Sequence, residues 1–271
     1  MGISVLISVY KKENSVFLDK ALESIWDYQT LKPNQIVLIK DGELTSELEV
    51  IIKKWADRLD TSLKIIVLHQ NVGLALALNE GLKSCDFEYI ARMDSDDIST
   101  PDRFKEQQLF LDANPLIDVV GTYISEIDEN DNLVKDLVKL PLFHDDLLLF
   151  FKKRNPLIHP ATMFRKSFFD KAGIYSNELM LAEDFHLWYK GFLAGCRYAN
   201  IPIIGLKFRR SSDFYLRRRS FKKLYGLLIF RITKCNRDLN FGIKSDLYAI
   251  IYFLIQLSPR FIKRYTYNLL R

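Results

Sequence analysis

Cysteine is scarce in this chain of 271 residues. Its three cysteines, Cys85, Cys196 and Cys235, are an odd number, and their positions do not show the paired spacing of thiolate metal sites. A disulfide framework would instead need an even set of cysteines in an oxidising compartment. The sequence therefore predicts reduced thiols in a cytosolic protein.

Long apolar runs are also missing. The longest, residues 247–255, is far shorter than the roughly 20 apolar residues that span a bilayer. The chain enters a β-rich run at Ile3 without the charged segment and small-residue cleavage site of a signal peptide. We expect neither a membrane-spanning helix nor a signal peptide.

Acidic residues are scarce only in the last quarter of the chain. Residues 207–271 hold 16 Lys and Arg against 3 Asp and Glu, a net charge of +13. Residues 1–206 hold 23 Lys and Arg against 31 Asp and Glu, a net charge of −8. Such asymmetry is typical of a basic segment that meets an anionic surface, either nucleic acid or a membrane.

Apolar strands alternate with amphipathic helices in the first half of the chain. The pattern predicts strands at residues 2–9, 35–39, 63–68 and 87–91, and helices at residues 17–28, 44–59 and 73–84. This alternation indicates βαβ units and a parallel sheet that is covered on both faces.

The alternation loosens in the second half. Helices are predicted at residues 101–114, 143–153 and 181–194, and strands at 119–127, 133–137 and 161–165, with an edge strand at 197–208 that Pro202 breaks. We therefore predict one α/β domain over residues 1–208 and a basic, amphipathic helical region over residues 209–271.

The strongest chemical signal is an acidic run directly after the fourth predicted strand. Asp94, Asp96 and Asp97 lie there, at the carboxyl end of a strand, where open α/β sheets bind ligands. Carboxylates this close together repel one another unless a cation binds them, and Mg²⁺ is typically shared between carboxylates and a substrate diphosphate. The alternative for an isolated acidic run is a solvated turn.

Other polar residues are expected at the same edge of the sheet. Asp41 follows the second strand, where a carboxylate can accept hydrogen bonds from a nucleobase or a ribose, although Asp and Gly are also ordinary turn residues. Further candidate ligand-binding residues lie at the end of the first strand and before the third helix: Ser8, Val9, Tyr10 and Asn71. Asn71 is equally suited to capping the helix.

An acidic pair opens the helix predicted at residues 181–194. Glu183 and Asp184 can act as a general base toward an acceptor hydroxyl, or they can simply stabilise the helix start. His159, in a loop between two prolines, is a candidate metal or diphosphate contact, but a lone loop histidine is more often a packing residue.

A basic cluster precedes two apolar-faced helices near the end of the chain. The cluster consists of Arg209, Arg210, Arg217, Arg218, Arg219, Lys222 and Lys223. Arginine forks suit phosphate oxygens, and basic amphipathic helices with aromatic flanks lie in membrane interfaces. The alternative is that the apolar faces close onto the α/β core.

Taken in order, these motifs resemble the family 2 glycosyltransferases with the GT-A fold, especially bacterial enzymes that build surface polysaccharides. The resemblance covers about residues 2–210 and is carried by VLISVY at 5–10, DG at 41–42, NVGL at 71–74, NEGL at 79–82, ARMDSDD at 91–97, PDRF at 101–104, HP at 159–160, MFR at 163–165 and AEDFHLW at 182–188.

The resemblance implies a mostly parallel Rossmann-like sheet with helices on both faces, and a nucleotide-sugar donor, with a UDP-sugar favoured. It assigns the nucleoside to Ser8, Tyr10 and Asp41, with Val9, Asn71, Arg92, Asp94 and Ser95 also toward the donor. Mn²⁺ or Mg²⁺ would be held by Asp94, Asp96 and Asp97. Asp184 would be the base, with Glu183, His159 and Trp188 toward the acceptor or supporting the site.

The family often has two acids before the glycine at position 42, and here the first is Lys40, which leaves the identity of the nucleobase open.

We therefore predict an inverting, metal-dependent hexosyltransferase of cell-surface polysaccharide synthesis, such as O-antigen, capsule or exopolysaccharide. Its acceptor is predicted to be a saccharide linked to polyprenyl diphosphate, at the cytoplasmic face of the inner membrane. Two alternatives are a sugar nucleotidyltransferase and a nucleic-acid-binding protein. The first would have a glycine-rich loop at residues 11–14, which lack glycine, and the aliphatic faces of the C-terminal region suit lipid better than nucleic acid.

Overall fold

The computed structural model describes residues 2–179, 182–210 and 221–258. Within these ranges, nine strands form one sheet. They are β1 (Ile3–Val9), β2 (Gln35–Asp41), β3 (Leu63–Leu68), β4 (Tyr89–Met93), β5 (Ile98–Ser99), β6 (Val119–Ile127), β7 (Leu133–Val138), β8 (Met163–Arg165) and β9 (Tyr198–Arg209).

The sheet has a parallel half and a mixed half. Its order is β3-β2-β1-β4-β8-β6-β9-β5, with β7 paired to β6 outside this path. All pairs from β3 to β4 are parallel, whereas β8 is antiparallel to both of its neighbours. The carboxyl ends of β1 to β4 therefore meet at one edge, as the alternating pattern predicts.

Helices cover both faces of the sheet. They are α1 (Ser15–Trp26), α2 (Ser46–Leu59), α3 (Leu74–Leu82), α4 (Arg103–Ala113), α5 (His144–Phe151), α6 (Ser167–Ala172), α7 (Glu183–Leu193), α8 (Phe221–Phe230), α9 (Asn236–Asp238) and α10 (Ile243–Leu257). Two short 3₁₀ turns, Asp60–Ser62 and His159–Ala161, and one π-turn, Arg231–Cys235, complete the described elements.

Successive side chains of β1 enter two different cores. Val5 and Ile7 pack with Leu22 of α1 and Trp55 of α2, whereas Leu6 packs with residues of α3 and α7. This follows from the two-residue period of a strand, which sends neighbouring side chains to opposite faces. The continuous apolar sequence of the strand is explained because both faces are buried.

The structure corrects two strand predictions. The fourth strand extends to Met93, so Arg92 lies inside it and is buried. The last strand is neither broken nor simply an edge: β9 runs unbroken between β6 and β5. Its register shifts so that Thr122 pairs with Ile201 and Tyr123 with Ile204. Pro202 therefore occupies a bulge, where the missing N–H does not interrupt the pairing.

Helix α6 and the two-residue strand β5 were not predicted. Their sequences are too short to show a helical or strand period, and β5 forms only because β9 provides its partner.

The C-terminal helices pack on the α/β body. Phe230, Cys235 and Phe241 are buried in the same core as Phe151 of α5 and Phe185 of α7. No helix among residues 2–179, 182–210 and 221–258 is long and apolar enough to cross a membrane. The division at residue 208 stays a prediction, and Arg217, Arg218 and Arg219 lie outside the described residues.

Candidate active site

A polar cleft opens where the first three strands end. It has a volume of about 370 Å³ and is lined by Lys11, Asp41, Glu43, Leu44, Thr45, His69, Gln70 and Asn71. Small-molecule sites typically measure about 300–1,000 Å³, so the cleft is large enough for a nucleoside. Two predicted donor residues, Asp41 and Asn71, form part of its wall.

Asp41 is tied to the loop that follows β3. Its Oδ1 accepts from the Val72 N–H at 2.7 Å, and its Oδ2 accepts from Asn71 Nδ2 at 3.0 Å and from the Gly73 N–H at 3.1 Å. Gly42 beside it has φ +85°, and a Cβ there would lie 2.6 Å from the backbone nitrogen of Asn71. Asp41 therefore shapes the loop that lines the cleft, and only glycine permits this close approach.

The remaining donor candidates near the first two strands differ in exposure. Ser8 and Tyr10 are partly exposed at the end of β1, but the Val9 side chain is fully buried in the core. Any donor contact by Val9 must therefore use its backbone. Lys40, the departure from the family pattern, forms an ion pair with Glu49 of α2.

The three predicted metal ligands converge in the loop after β4. One carboxylate oxygen from each of Asp94, Asp96 and Asp97 lies within 4.8 Å of the others. Asp97 is buried: its Oδ1 accepts from the Arg209 N–H at 2.7 Å, whereas its Oδ2 has no hydrogen-bond partner among the residues that the structure describes. Burial, and then Asp96 and Asp94, raise the pKa of Asp97 well above its usual value. An oxygen-rich, electron-rich cluster with an unpaired buried oxygen fits a hard divalent cation.

Buried arginines hold the backbone around this loop. Arg92 forms an ion pair with Asp94. Arg103 Nη2 donates to the Arg92 carbonyl at 2.7 Å and to the Thr162 carbonyl at 3.3 Å, and burial lowers the pKa of Arg103 to about 9. Arg209 Nε donates to the Asp96 carbonyl at 2.7 Å. Ser95, another predicted donor residue, is buried between the ligands.

The role of Arg103 was not predicted, and the prediction that Arg209 belongs to a basic cluster facing phosphate or lipid is wrong, because Arg209 is buried and bonds to the loop after β4. Arg103 belongs to the PDRF motif, which supports the family resemblance but does not indicate what Arg103 does. Arg209 is the last residue of β9, far in sequence from the loop that follows β4. A buried arginine that bonds to backbone carbonyls leaves no local pattern.

The acidic pair begins helix α7, as the sequence predicts. Asp184 Oδ2 accepts from Asn155 Nδ2 at 2.5 Å, and its Oδ1 accepts from the Phe185 N–H at 2.7 Å. Burial, followed by the charge of Asp184, raises the pKa of Glu183 to about 7. The two acids therefore differ: Asp184 accepts a hydrogen bond at each oxygen, whereas Glu183 carries a raised pKa.

His159 lies in a buried hydrogen-bonded group between the two acidic sites. Its Nε2 is 2.8 Å from the Tyr175 hydroxyl, and burial, then Arg92, lower the pKa of His159 well below its usual value. The Asn79 side chain fixes the backbone of Tyr175: its Nδ2 donates to the Tyr175 carbonyl and its Oδ1 accepts from the Tyr175 N–H, both at 2.9 Å. His159 is therefore a neutral packing and hydrogen-bonding residue here, and Tyr175 is a site residue that sequence reasoning missed.

Trp188 lies beneath this group. It is fully buried, 6.0 Å from the His159 ring and stacked on Phe164 at 5.7 Å. It therefore supports the site from the core and does not itself reach the cleft. Of the basic cluster, Lys222 is exposed on α8 and Lys223 is half-buried.

The two acidic sites belong to one electrostatic environment. The charges of Arg92 and Asp94 both act on Glu183, and those of Glu183, Asp184 and Asp94 act on Tyr175. Arg92 is therefore paired with a carboxylate after β4 and also acts electrostatically on the pair that begins α7, so one cation influences both the potential metal site and the potential base.

Sequence comparison identifies relatives over nearly the whole chain. It is 34% identical over 266 residues to the amylovoran biosynthesis glycosyltransferase AmsE of Erwinia amylovora, covering 98% of this chain and 97% of that protein. It is 35% identical over 219 residues to an Escherichia coli UDP-Gal:alpha-D-GlcNAc-diphosphoundecaprenol beta-1,3-galactosyltransferase, covering 81% of this chain and 78% of that protein.

Solved structures show the same fold. The Pyrobaculum calidifontis mannosyltransferase PcManGT, in complex with GDP-Man and Mn²⁺, matches with a TM-score of 0.66 at 16% identity, over 94% of this chain and 71% of that one. S. aureus TarS, in complex with UDP-GlcNAc, matches with a TM-score of 0.63 at 19% identity, over 97% and 83%.

The family model described as glycosyl transferase family 2 matches residues 4–173, which is more than half of the chain. That span contains the cleft, the carboxylates after β4 and His159. The predicted GT-A fold and transferase activity are thereby confirmed: this chain is a GT-A glycosyltransferase and belongs to glycosyl transferase family 2.

Proposed function

We propose that this enzyme is an inverting, metal-dependent glycosyltransferase that uses a nucleotide-sugar donor. The observation that carries the proposal is the cluster of Asp94, Asp96 and Asp97 after β4, which shares the carboxyl edge of the sheet with the nucleoside-sized cleft after β1 to β3. A nucleotidyltransferase or a nucleic-acid-binding module accounts less well for this cluster together with the acidic pair at α7.

Asp94, Asp96 and Asp97 would hold Mn²⁺ or Mg²⁺ at the donor diphosphate. When bound there, the ion supplies Lewis-acid stabilisation of the departing nucleoside diphosphate. Arg103 and Arg209 hold the loop in place through its backbone carbonyls. Asp41 and Asn71 position the wall of the cleft that receives the nucleoside.

Asp184 would take the proton of the acceptor hydroxyl as that oxygen attacks the anomeric carbon. The attack comes from the side opposite the diphosphate, so the configuration inverts. We assign this step to Asp184 because the family resemblance gives it that role and because Asn155 and the Phe185 N–H fix the direction of its carboxylate.

We propose a UDP-sugar as the donor and a saccharide linked to polyprenyl diphosphate as the acceptor, in cell-surface polysaccharide synthesis. The support is the activity of the E. coli relative, a galactosyltransferase named for a UDP-sugar donor and a diphosphoundecaprenol-linked sugar, and the amylovoran biosynthesis named for AmsE.

Donor binding tests the proposal directly. A ligand that binds only the folded state raises its melting temperature, so a panel of UDP- and GDP-sugars should raise Tm only when Mn²⁺ or Mg²⁺ is present. Product from a synthetic lipid-diphosphate saccharide would then be collected and its anomeric configuration determined. Equal Tm shifts with and without the ion, or a retained configuration, would contradict the proposal.

We further propose that α10 docks on the cytoplasmic face of an anionic inner membrane. Its exposed apolar side chains recur at helical spacing: Ile243, Leu247, Ile250, Ile251 and Leu254. Ile243 is 82% and Leu254 58% exposed. The exposed Lys222 and Lys244 add positive charge in a region that carries +13 over residues 207–271. A basic, amphipathic surface of this kind binds anionic lipid.

Vesicle flotation tests the docking. The protein should float with phosphatidylglycerol vesicles, and Leu247→Ser with Leu254→Ser should abolish this. Leu116→Ser with Leu133→Ser is the matched control, because these leucines are 76% and 59% exposed on other elements. Unchanged flotation of the first variant would rule out α10 as the docking face. Binding to an oligonucleotide in place of vesicles would favour the nucleic-acid alternative.

A further inference from the structure

The predicted base is fixed by a residue outside its own helix. Asn155 Nδ2 donates to Asp184 Oδ2 at 2.5 Å while the Phe185 N–H donates to Asp184 Oδ1 at 2.7 Å. Each carboxylate oxygen is thus bound by a donor of fixed position. The pair of bonds sets the direction in which the carboxylate points, and a base must be within hydrogen-bond reach of the proton it removes.

Asn155 lies in the loop that follows α5, and the end of that helix is held from the C-terminal region. Arg231 Nη2 donates to the carbonyls of Phe151 at 3.1 Å and Lys152 at 2.8 Å, and its Nη1 donates to that of Lys153 at 3.3 Å. These are carbonyls that a helix leaves without partners at its end, and a cation is favoured there. Arg231 is 4% exposed.

The same guanidinium also touches the helix that carries the base. Its Cζ lies 5.0 Å from the ring centre of Phe185, the residue that follows Asp184, which is within cation–π range. Phe230, next to Arg231, packs edge-on against the rings of Phe185 and Tyr189 at 6.3 and 5.1 Å. Arg231 therefore contacts the segment that leads to Asn155 and the residue that follows Asp184, one neighbour of each partner in the Asn155–Asp184 bond.

We propose that Asn155 is a positioning residue for Asp184, and that Arg231 holds the Asn155 loop and α7 in fixed positions relative to each other. The C-terminal helices therefore complete the geometry of the base in addition to any docking they perform. This inference rests on the proposed function, because it assigns a role to the contacts of Asp184 as base.

The first test is Asn155→Ala, which removes the donor and leaves Asp184 in place. We expect kcat to fall roughly 10- to 100-fold, the scale of a misplaced catalytic group, while the KM for the donor sugar and the Kd of UDP–Mn²⁺ stay unchanged. Asn155→Asp, which keeps the shape but replaces the donor with a like charge, should lower kcat at least as much.

Asn114→Ala is the matched control. Asn114 Nδ2 donates to the Phe110 carbonyl at 2.8 Å, so this variant also loses a partly buried amide hydrogen bond, but at the end of α4. It should lose stability without losing kcat. If Asn155→Ala loses no more kcat than Asn114→Ala, the positioning role is refuted. If Asn155→Ala raises the KM for the donor sugar and leaves kcat unchanged, the positioning role is equally refuted.

The second test couples the two residues. Arg231→Lys keeps the positive charge but loses the planar guanidinium that bonds to several carbonyls at once. If Arg231 acts through Asn155, kcat of the double variant should fall by less than the product of the two single-variant factors. Independent, multiplicative losses would overturn the role of Arg231. Binding of UDP–Mn²⁺ with the wild-type Kd serves as the check that Arg231→Lys is folded.

Asp184→Asn separates this inference from the proposed function. If Asp184→Asn retains turnover, the base assignment fails. If Asp184→Asn loses turnover while Asn155→Ala behaves like Asn114→Ala, only the positioning inference fails. If both hold, adding Asn155→Ala to Asp184→Asn should cost no further activity, because no base remains to be positioned.

Discussion

Two groups of carboxylates within electrostatic reach of each other are supported in opposite ways. Arg92 pairs with Asp94 and Arg209 bonds to the Asp96 backbone, yet among the described residues no donor reaches Asp97 Oδ2. Asp184 accepts instead from a neutral amide and a backbone N–H, one at each oxygen. Clustered carboxylates with an open oxygen suit a hard cation, whereas a carboxylate whose direction is fixed at both oxygens suits proton removal from a substrate in a fixed position.

The largest effect is expected from breaking the first group. Asp96→Ala should lower turnover by about 10³-fold or more, because metal stabilisation of a leaving group contributes several kcal/mol and each 1.4 kcal/mol is about tenfold. Isothermal titration should show that the variant binds UDP no better with Mn²⁺ than without it. Wild-type turnover, or a retained Mn²⁺ dependence of UDP binding, would remove the metal from this loop.

Breaking the second group should leave donor binding intact. Asp184→Asn keeps the size and polarity of the side chain but cannot accept a proton, so kcat should fall by about 10²- to 10⁴-fold, the range for general-base catalysis. The Kd of UDP–Mn²⁺ should match that of the wild type, in contrast to Asp96→Ala. If Asp184→Asn also weakens UDP–Mn²⁺ binding, the two groups are not functionally distinct.

The smallest effect concerns Glu183 and appears as a pH dependence of stability. Burial raises the pKa of Glu183 to about 7 from an ordinary value of 4.5. Between pH 4.5 and about pH 7, the folded protein holds a proton on Glu183 that the unfolded chain has lost. The free energy of unfolding therefore falls as pH rises through this window. Above the window, the destabilisation caused by the buried, ionised Glu183 is fully present. Glutamine carries no charge, so Glu183→Gln should raise Tm at about pH 8 and change it little at about pH 4.5.

Thermal melts of Glu183→Gln and wild type across this range measure the difference. Glu178→Gln is the control, because Glu178 is exposed near the same helix. A Tm gain that is independent of pH would show that Glu183 does not change its protonation state in the folded protein over this range, which would contradict the raised pKa.

Most of the architecture was predictable because its signals are local. The alternation of apolar strands with amphipathic helices gives the order of the elements up to α4, and the position of Asp94, Asp96 and Asp97 after a strand places them at the ligand edge. The unbroken path of β9 was not predictable, because whether Pro202 ends a strand or occupies a bulge depends on the register of β6.

The supporting residues of the site were not predictable for a related reason. Asn155, Tyr175, Arg209 and Arg231 act through contacts with residues distant in sequence, and none has a motif of its own. The basic composition of the C-terminal region predicted surface contacts, yet Arg231 uses its charge inside the protein, where it completes the end of α5.

The dependence of α5 and α7 on Arg231 has a consequence for biosynthesis. A ribosome releases the sheet, the cleft and the acidic loop well before it releases Arg231, and domains generally begin to fold as they emerge. On the coupling proposed above, a nascent chain gains the ability to hold a nucleotide sugar first, and its base reaches full efficiency only when translation has passed Arg231.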